Sequence, residues 1–501
     1  MSAPTTAASS PTDPPLRSAA TVRMLAPDLA RGFTLLGIAI ANLTTTWLAG
    51  PAGASVQELG GVVDGSTADK VAVVAGSMLA HVRGLPMFST MLGFGVGLIA
   101  MSLARRRYPL GAARRTIAMR YLWLAIFGAV HMVFLYFGDI MVFYGIAGAV
   151  LALMINFRDK TLLIIAGVLS AMWMIGNLII AIVLMIADSQ FDLFGPETTA
   201  SGGMPLASNF LDSYLSQLVG GALFLVLQPL NLGTEIPMLF PLMLLGFVWA
   251  RRGVLTHPEE HRRTLWIAAA AGIVVMVAVG LPMGLNAIGV FGNEDSLATW
   301  MVLNTGFGVA TGPGIVAIIV LACAPMQRRI TEKTAQGTSY ERALPVWIAP
   351  VAALGQRSMS GYVAQSLLAT IFVASYGLGW GQSSGAAVAT GLAAAIWAVT
   401  VLGAYALQLM GRRGPLETLH RRMAYGKQGL AADYWARHPQ PHPGVPPQGA
   451  MAAGSPAAPG QQPPAPPVLP PRFSHQSQTQ PEQPRTAAAH PEQRDSGPAA
   501  P

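Results

Sequence analysis

The sequence predicts an all-α protein, a polytopic bundle of about ten transmembrane helices with both termini in the cytoplasm. Three observations carry that prediction. The 501 residues are 52% hydrophobic and only 11% charged, with a mean hydropathy of +0.47, whereas a soluble domain is about 25% charged. Apolar blocks of about 20 residues, the length that crosses a bilayer as a helix, recur along most of the chain, and they are too long and continuous for barrel strands of about 9–11 alternating residues. Basic residues gather in alternate short loops, so the formal charge of +8 reads as topology rather than as a nucleic-acid stripe. No nucleic-acid partner is expected. Cys323 is the only cysteine, which excludes an intramolecular disulfide and a Cys-based metal site, and no metal site is predicted.

Residues 1–22 are rich in Ser, Thr, Pro and Ala and lack the apolar core of a cleavable signal, so they are expected to be disordered, with the first span acting as its own insertion signal. Apolar spans fall near 29–49, 85–103, 119–137, 140–157, 161–187, 234–250, 265–287, 299–323, 357–377 and 386–410. Arg105, Arg106, Arg107, Arg114 and Arg115 separate spans two and three. Arg158 and Lys160 follow span four, Arg251 and Arg252 follow span six, Arg328, Arg329 and Lys333 follow span eight, and Arg412 and Arg413 follow span ten. The alternate loops hold Asp188, Asp192, Glu197, Asp212, Glu294 and Asp295. The excess of Lys and Arg marks the cytoplasmic side.

Counting residues 213–232 as a further span would reverse every later loop, so this stretch reads as an interfacial or re-entrant helix on the outer side. Residues 344–377 are too long for one span, and Pro350 and Gly355 are expected to break them. The transmembrane domain thus covers 23–430. Residues 431–501 are Pro/Gln/Ala-rich, cannot bury a core, and read as a disordered cytoplasmic tail able to dock a protein partner.

Several polar residues lie at or within apolar blocks, where an ionisable group costs roughly 2.5–3.5 kcal/mol. Asp28 and Arg31 are three apart and can pair on one helix face, or Arg31 can bind an anion. Asn42 can hydrogen-bond across helices or serve a site. His81 and Arg83 sit near the outer end of span two, facing water or an anionic group. Gly93, Gly95 and Gly97 mimic a nucleotide loop but lie inside a span, which points to close helix packing. His131 is either a satisfied interhelical hydrogen-bonder or a proton-transfer group. Asp139 is a wet turn residue and helix cap, or its partner; eight helical residues span about 12 Å, so the two meet only if Gly138 folds the chain back. Arg357 either clamps a phosphate or snorkels to headgroups, with Gln365 about two turns deeper. Gly312-Pro313-Gly314 can break span eight near the midplane. Pro415 and Glu417 open a short basic amphipathic surface helix.

The stretches PDLARGFTLLGIAIAN, GLPMFSTMLGFGVGL, HMVFLYFGDIMVFYGI, LMLLGFVWARRGVL, GQRSMSGYVAQSLL and GPLETLHRRMAYG resemble, in order, the YeiB-like bacterial membrane family catalogued as domain of unknown function 418. They span roughly 23–430, with the C-terminal family region at about 230–430. The family is similar to transmembrane acyltransferases that use cytoplasmic acyl-CoA to modify an acceptor on the other side, and Asp28, Arg31, Gly32 and Asn42 carry the shared pattern. The lysosomal heparan glucosaminide acetyltransferases among those relatives place a catalytic His shortly after that Asn; residues 43–80 here hold none, so His131 or His81 would substitute, or this branch catalyses a different reaction. The resemblance implies a multi-pass protein of the bacterial cytoplasmic membrane, with acyl-CoA as co-substrate and no bound cofactor. Arg31, Arg357, Gln365 and Arg83 would bind the donor or substrate, and His131, Asp139 and Asn42 would act on a small-molecule or envelope-glycan acceptor. A secondary transporter and a non-catalytic scaffold are the competing expectations.

Overall fold

Each of the ten apolar blocks is helical in the computed structural model of the protein, which describes residues 23–51, 54–191, 210–292 and 296–438. Among the described residues the sole extended pairing is an isolated bridge, Ser55 to Val62. Seven helical stretches among them are long and apolar enough to cross a membrane: Thr67–Arg105, Leu110–Phe134, Asp159–Ile186, Tyr214–Arg252, Arg262–Ala287, Leu297–Ala335 and Ala386–Leu409. The other three expected spans are helical but short or interrupted. The first is α1 (Leu25–Asn42), which continues as a π-helical turn over Leu43–Trp47. The second, Met141–Leu153, has 13 residues, and the third is broken at Arg357. The helix Asp159–Phe191 exposes Ile164, Val168, Met172, Ile175, Ile179 and Val183. A continuous apolar face of this kind is covered by lipid, and the chain is a membrane protein.

Helix α2 (Thr67–Leu79) and α3 (Gly84–Arg105) are joined by a four-residue turn. A Cβ at Gly93 would overlap the Met243 carbonyl, and one at Gly246 would overlap that of Thr90. Small residues on both helices therefore bring α3 against the helix Tyr214–Arg252, which is the packing expected of these glycines. α4 (Leu110–Phe134) and α5 (Met141–Leu153) form a hairpin closed in the same way, by Gly145 on Ala125 and Gly148 on Tyr121. α6 is the lipid-facing helix Asp159–Phe191.

Four expectations are corrected. Residues 213–232 are not a separate interfacial helix. They are the first half of α7 (Tyr214–Arg252), one helix of 39 residues that keeps its course through Pro229, Pro237 and Pro241. It runs about 58 Å at 1.5 Å per residue, so it crosses once and reaches well past one face; the loop bookkeeping needs no reversal. The chain then forms α8 (Arg262–Val275), a π turn, α9 (Leu281–Ala287), α10 (Leu297–Phe307) and α11 (Thr311–Ala335). The break in span eight is a 3-10 turn at Gly308–Ala310 rather than at Gly312-Pro313-Gly314. Gly312 and Gly314 instead let α11 touch Pro86 and Gly272. After a short α12 (Tyr340–Ala343), Pro350 starts rather than breaks α13 (Ala349–Gln356), and the kink into α14 (Ser358–Phe372) is at Arg357. Finally, the folded region passes residue 430. After α15 (Ala386–Leu409) and α16 (Pro415–Tyr425), residues 431–438 carry α17 (Tyr434–Arg437). Tyr434 N–H donates to Arg106 O, Ala431 N–H to Tyr108 Oη, and Arg107 pairs with Asp433. Residues 1–22 and 439–501, and with them the expected partner-docking segment, lie outside the described residues, as do Asp192, Glu197, Glu294 and Asp295.

Two of the motifs that carry the resemblance, GQRSMSG and GPLETLHRR, form one unit at the Arg-rich end. Glu417 Oε1 accepts from the backbone N–H of Met359 (2.9 Å) and Ser360 (3.0 Å), capping α14, while Ser360 Oγ accepts from Leu416 N (3.0 Å), capping α16. Each helix satisfies the other's orphan donors. His420 then donates Nε2–H to Arg120 O at 2.7 Å, fixing α16 to α4. Burial, with the Arg120 guanidinium beside it, pushes the His420 imidazole down to about 4, so it is neutral when docked. A released imidazole titrates near 6.5. Docking is therefore fully supported above pH 6.5 and loses ground as pH falls from 6.5 toward 4, because only the released helix takes up the proton. Hydrogen exchange over 415–425, corrected for intrinsic rates, is expected to rise between pH 7 and pH 5 and to lose that dependence in His420→Gln.

Candidate functional site

The α4–α5 hairpin turns at Leu135–Ile140, and short α5 sets the depth of that turn. Thirteen residues rise about 20 Å, less than the roughly 30 Å hydrocarbon core. Irregular backbone at such depth is tolerated only where protein covers it. Here the cover is Tyr136 and Phe137, stacked on Trp47 and Phe224 respectively. Gln217 of α7 also donates Nε2–H to Leu135 O at 2.6 Å, which satisfies a carbonyl at the end of α4.

The turn brings His131 and Asp139 together. His131 Nδ1 lies 2.7 Å from Asp139 Oδ2, with both side chains at most 2% exposed; the contact is one of distance and charge, since neither atom makes an aligned hydrogen bond among the described residues. Asp139 Oδ1 accepts from Val142 N at 3.0 Å, so the carboxylate also caps α5. The wet-turn reading fails because Asp139 is buried; the cap reading and the His-partner reading both hold. Gly128 makes room for this arrangement, since a Cβ there would stand 2.7 Å from Asp139 Oδ1. On the other side of the ring, His131 Nε2 lies 2.8 Å from Ser366 Oγ on α14, and Tyr362 packs on the ring with centroids 4.9 Å apart. A buried chain of Asp139, His131 and Ser366 results. A carboxylate this close to Nδ1 favours the proton on that nitrogen, which leaves the Nε2 lone pair facing the hydroxyl, the tautomer needed for a base.

The two ends of this chain border neighbouring cavities, Asp139 the larger and Ser366 the smaller, while His131 lies between them and lines neither. One, of about 180 Å³, is lined by Asp139, Asn42, Tyr362, Gln228, Asn231 and Glu235 among others. The second, of about 10 Å³, is lined by Asn42, Tyr362, Gln365 and Ser366 together with apolar side chains. Asn42 and Tyr362 face both. Asn42 stands where α1 passes into the π turn at Leu43–Trp47, a distortion common at functional sites. Gln228 donates Nε2–H to Glu235 Oε2 at 2.7 Å, which places a second carboxylate on the cavity wall.

The other expected site residues separate from this cluster. Asp28 pairs with Arg23 (2.7 Å) and accepts from Tyr340 Oη (3.3 Å), not from Arg31. Arg31 is half-buried beside Gly95 and has no hydrogen-bond or ion-pair partner among the described residues. Gly32 and Gly355 let α1 and α13 cross closely, since a Cβ at either would overlap Val351 or Asp28 backbone. Arg357 donates Nη1–H to Ala353 O (3.1 Å) and Nη2–H to Arg412 O (2.6 Å), so it ties α13 to the end of α15. Gln365 faces the small cavity and not Arg357. Arg83 is 1% exposed and donates to Met78 O and Asn304 Oδ1, which removes the water-facing reading, and His81 is buried and lines neither cavity.

Ser366, Glu235 and Tyr362 escaped sequence reasoning. Ser366 lies 235 residues from His131, and a lone Ser in an apolar helix carries no signal. Glu235, a carboxylate flanked by Pro229 and Pro237 within an apolar run, did carry one.

Residues 249–427 match the family model described as "Protein of unknown function (DUF418)". The chain is also 25% identical over 357 residues to "Uncharacterized protein YxaH" of Bacillus subtilis (strain 168), covering 68% of this chain and 78% of that protein. No solved structure matches it. The resemblance expected from the motifs is supported by both matches.

Proposed function

We propose that this DUF418-family membrane protein is an acyl-CoA-dependent transferase of the bacterial cytoplasmic membrane, moving an acyl group to an acceptor on the outer side. The observation that carries the reading is the Asp139–His131–Ser366 chain beside the cavity of about 180 Å³. Basic loops place the Arg-rich end in the cytoplasm, which puts the chain in the outer half. His131 is the general base toward a hydroxyl or amine, and Asp139 holds its tautomer. A cavity of about 180 Å³ holds a handful of small groups rather than a long chain, which favours a short acyl group. Arg31, the half-buried guanidinium without a partner, takes the donor's phosphates. Arg357 supports that face through its carbonyl contacts.

Purified protein in liposomes is expected to bind acetyl-CoA saturably and to release CoA slowly, and Arg31→Ala should weaken binding by about tenfold or more, the worth of a charge-assisted hydrogen bond. Neither binding nor CoA release with any acyl-CoA would overturn the reading. The second reading is a proton-coupled transporter. It is favoured by the interrupted helices at Met276–Gly280 and Gly308–Ala310, since broken helices often build solute sites. It ranks lower because Arg83 fills the space between those breaks, as its contacts with Gly280 and Gly308 indicate. A transporter would accumulate solute in vesicles without CoA.

A further inference from the structure

Buried helical hydroxyls in this protein have a habit that Ser366 breaks. Thr34, Ser77, Ser89 and Thr90 each donate to the carbonyl four residues earlier, at 2.7, 2.8, 2.9 and 3.0 Å. That is how a Ser or Thr inside a helix normally satisfies its proton. The Ser366 hydroxyl makes no such bond, and its one hydrogen-bond partner among the described residues is His131 Nε2 at 2.8 Å. Its hydroxyl is thus turned off the helix toward a base whose far nitrogen already faces a carboxylate.

A second observation concerns the small cavity that Ser366 lines. Gln365 is 6% exposed, and its Nε2 is buried without a hydrogen-bond partner. Asn42, on the opposite helix, makes no side-chain hydrogen bond among the described residues and lines the same cavity. An unpaired buried amide costs about 1–3 kcal/mol, so the open Gln365 amide, with the half-buried Asn42 amide across the cavity from it, asks for an acceptor. The cavity of about 10 Å³ has room for roughly one water-sized atom. Its other walls are apolar, which strengthens any charge stabilisation inside it.

We propose that Ser366 is a covalent acyl carrier, with Gln365 and Asn42 as the amide donors that hold the oxyanion. The proposal rests on the acyl-transfer reading. In the first half-reaction Ser366 Oγ attacks the thioester carbonyl of the donor, and His131 Nε2 takes the hydroxyl proton. The carbonyl oxygen becomes the oxyanion and is met by the two amides. As the tetrahedral adduct collapses, the C–S bond breaks and the thiol leaves with the proton from His131, which leaves an ester on Ser366. In the second half-reaction the acceptor's hydroxyl or amine attacks that ester and gives its proton to His131. The C–Oγ bond then breaks, and Oγ recovers the proton. No oxidant or reductant is involved, and the site returns to its starting state.

The test uses the full-length protein in detergent and in liposomes, with two probes. A fluorophosphonate is expected to label Ser366, identified by peptide mass, with labelling lost in Ser366→Ala and slowed by about 10²-fold or more in His131→Gln. A quenched acetyl-CoA reaction is expected to show one acetyl group on the same peptide. Gln365→Leu should lower kcat by about 10²–10³-fold, the range for one oxyanion donor, with KM little changed. Thermal unfolding of each variant confirms folding. If Ser366→Ala folds and transfers acetyl at the wild-type rate while His131→Gln does not, the carrier is overturned and direct transfer assisted by His131 stands. If the fluorophosphonate labels Ser366 but no acyl-CoA is consumed, the nucleophile is supported and the CoA-dependent reading fails. A folded wild type that neither labels nor acetylates overturns the proposal.

Discussion

Replacing His131 with alanine is expected to lower acyl transfer by about 10²–10⁴-fold, the usual contribution of a positioned general base, with acetyl-CoA binding nearly unchanged. The split follows from position. His131 touches Asp139 and Ser366 in the buried chain, whereas Arg31, proposed to hold the donor, lies eleven residues before Asn42 on α1, about 16 Å along its axis. The loss should therefore fall on kcat and spare KM, as for an interaction made mainly in the transition state. Alanine also leaves Asp139 buried with only the Val142 N–H to meet its charge, and stranding a buried charge costs several kcal/mol. His131→Gln, which can still donate to Asp139, keeps the fold and removes the base. Rates of CoA release in proteoliposomes, measured for both variants across acetyl-CoA concentration, separate the two effects. If His131→Gln retains a kcat within twofold of wild type, the imidazole is a structural hydrogen-bonder. The same assay with Gly128→Ala probes the carboxylate's seat, because the added methyl would press on Asp139 Oδ1 and the Val142 N–H it accepts from. Overpacking of that kind costs about 1–3 kcal/mol of stability, and displacement of Asp139 would lower kcat further.

The membrane bundle was legible because hydropathy and loop charge are sums over many residues, and single errors do not move them. The sequence reading failed where a single residue decides the geometry. Residues 213–232 read as a separate interfacial helix, yet α7 includes them and runs on through Pro229, Pro237 and Pro241, since neighbouring helices and local adjustments can satisfy the carbonyls that proline leaves free. Gly312-Pro313-Gly314 looked like a hinge and is a packing surface against Pro86 and Gly272. The site was half legible. His131 and Asp139 stood out because ionisable groups are costly at membrane depth, and they meet because the turn containing Gly138 lets the chain reverse between them. Ser366 and Gln365 reach the site from a helix more than 200 residues later, and no pattern in one sequence records which helices are neighbours. Arg357 and Arg83 were read as ligand-binding because they are cations at span ends. Both donate to backbone carbonyls left open at helix ends, a role that depends on the three-dimensional path of the chain.

Arg83 supplies the second large effect, this time on stability. It is buried to 1% exposure without a carboxylate partner, an arrangement that would be costly if its donors were free. They are not. Nε donates to Met78 O at 3.0 Å and Nη2 to Asn304 Oδ1 at 2.8 Å, with Ser77 O at 3.4 Å. Met78 and Ser77 close the last turn of α2, where open carbonyls and the negative end of the helix dipole favour a cation. Asn304 belongs to α10 and in turn donates to His81 O at 3.4 Å, so the guanidinium joins the α2–α3 turn to a helix 221 residues later in the chain. Arg83→Ala would strand these acceptors, at about 1–3 kcal/mol each, and is expected to destabilise the protein by about 3–5 kcal/mol, the range for breaking a buried charge contact. Lysine carries the charge but not the planar fork, so Arg83→Lys should recover only part of the loss. Pairing Arg83→Met with Asn304→Leu removes donor and acceptor together, and the double variant should be more stable than the sum of the single losses predicts. Thermal unfolding in detergent reads all of these. If Arg83→Ala unfolds at the wild-type temperature but loses an anionic ligand, Arg83 is a binding residue after all; the geometry argues against that, because binding an anion there would first require giving up the carbonyls of α2.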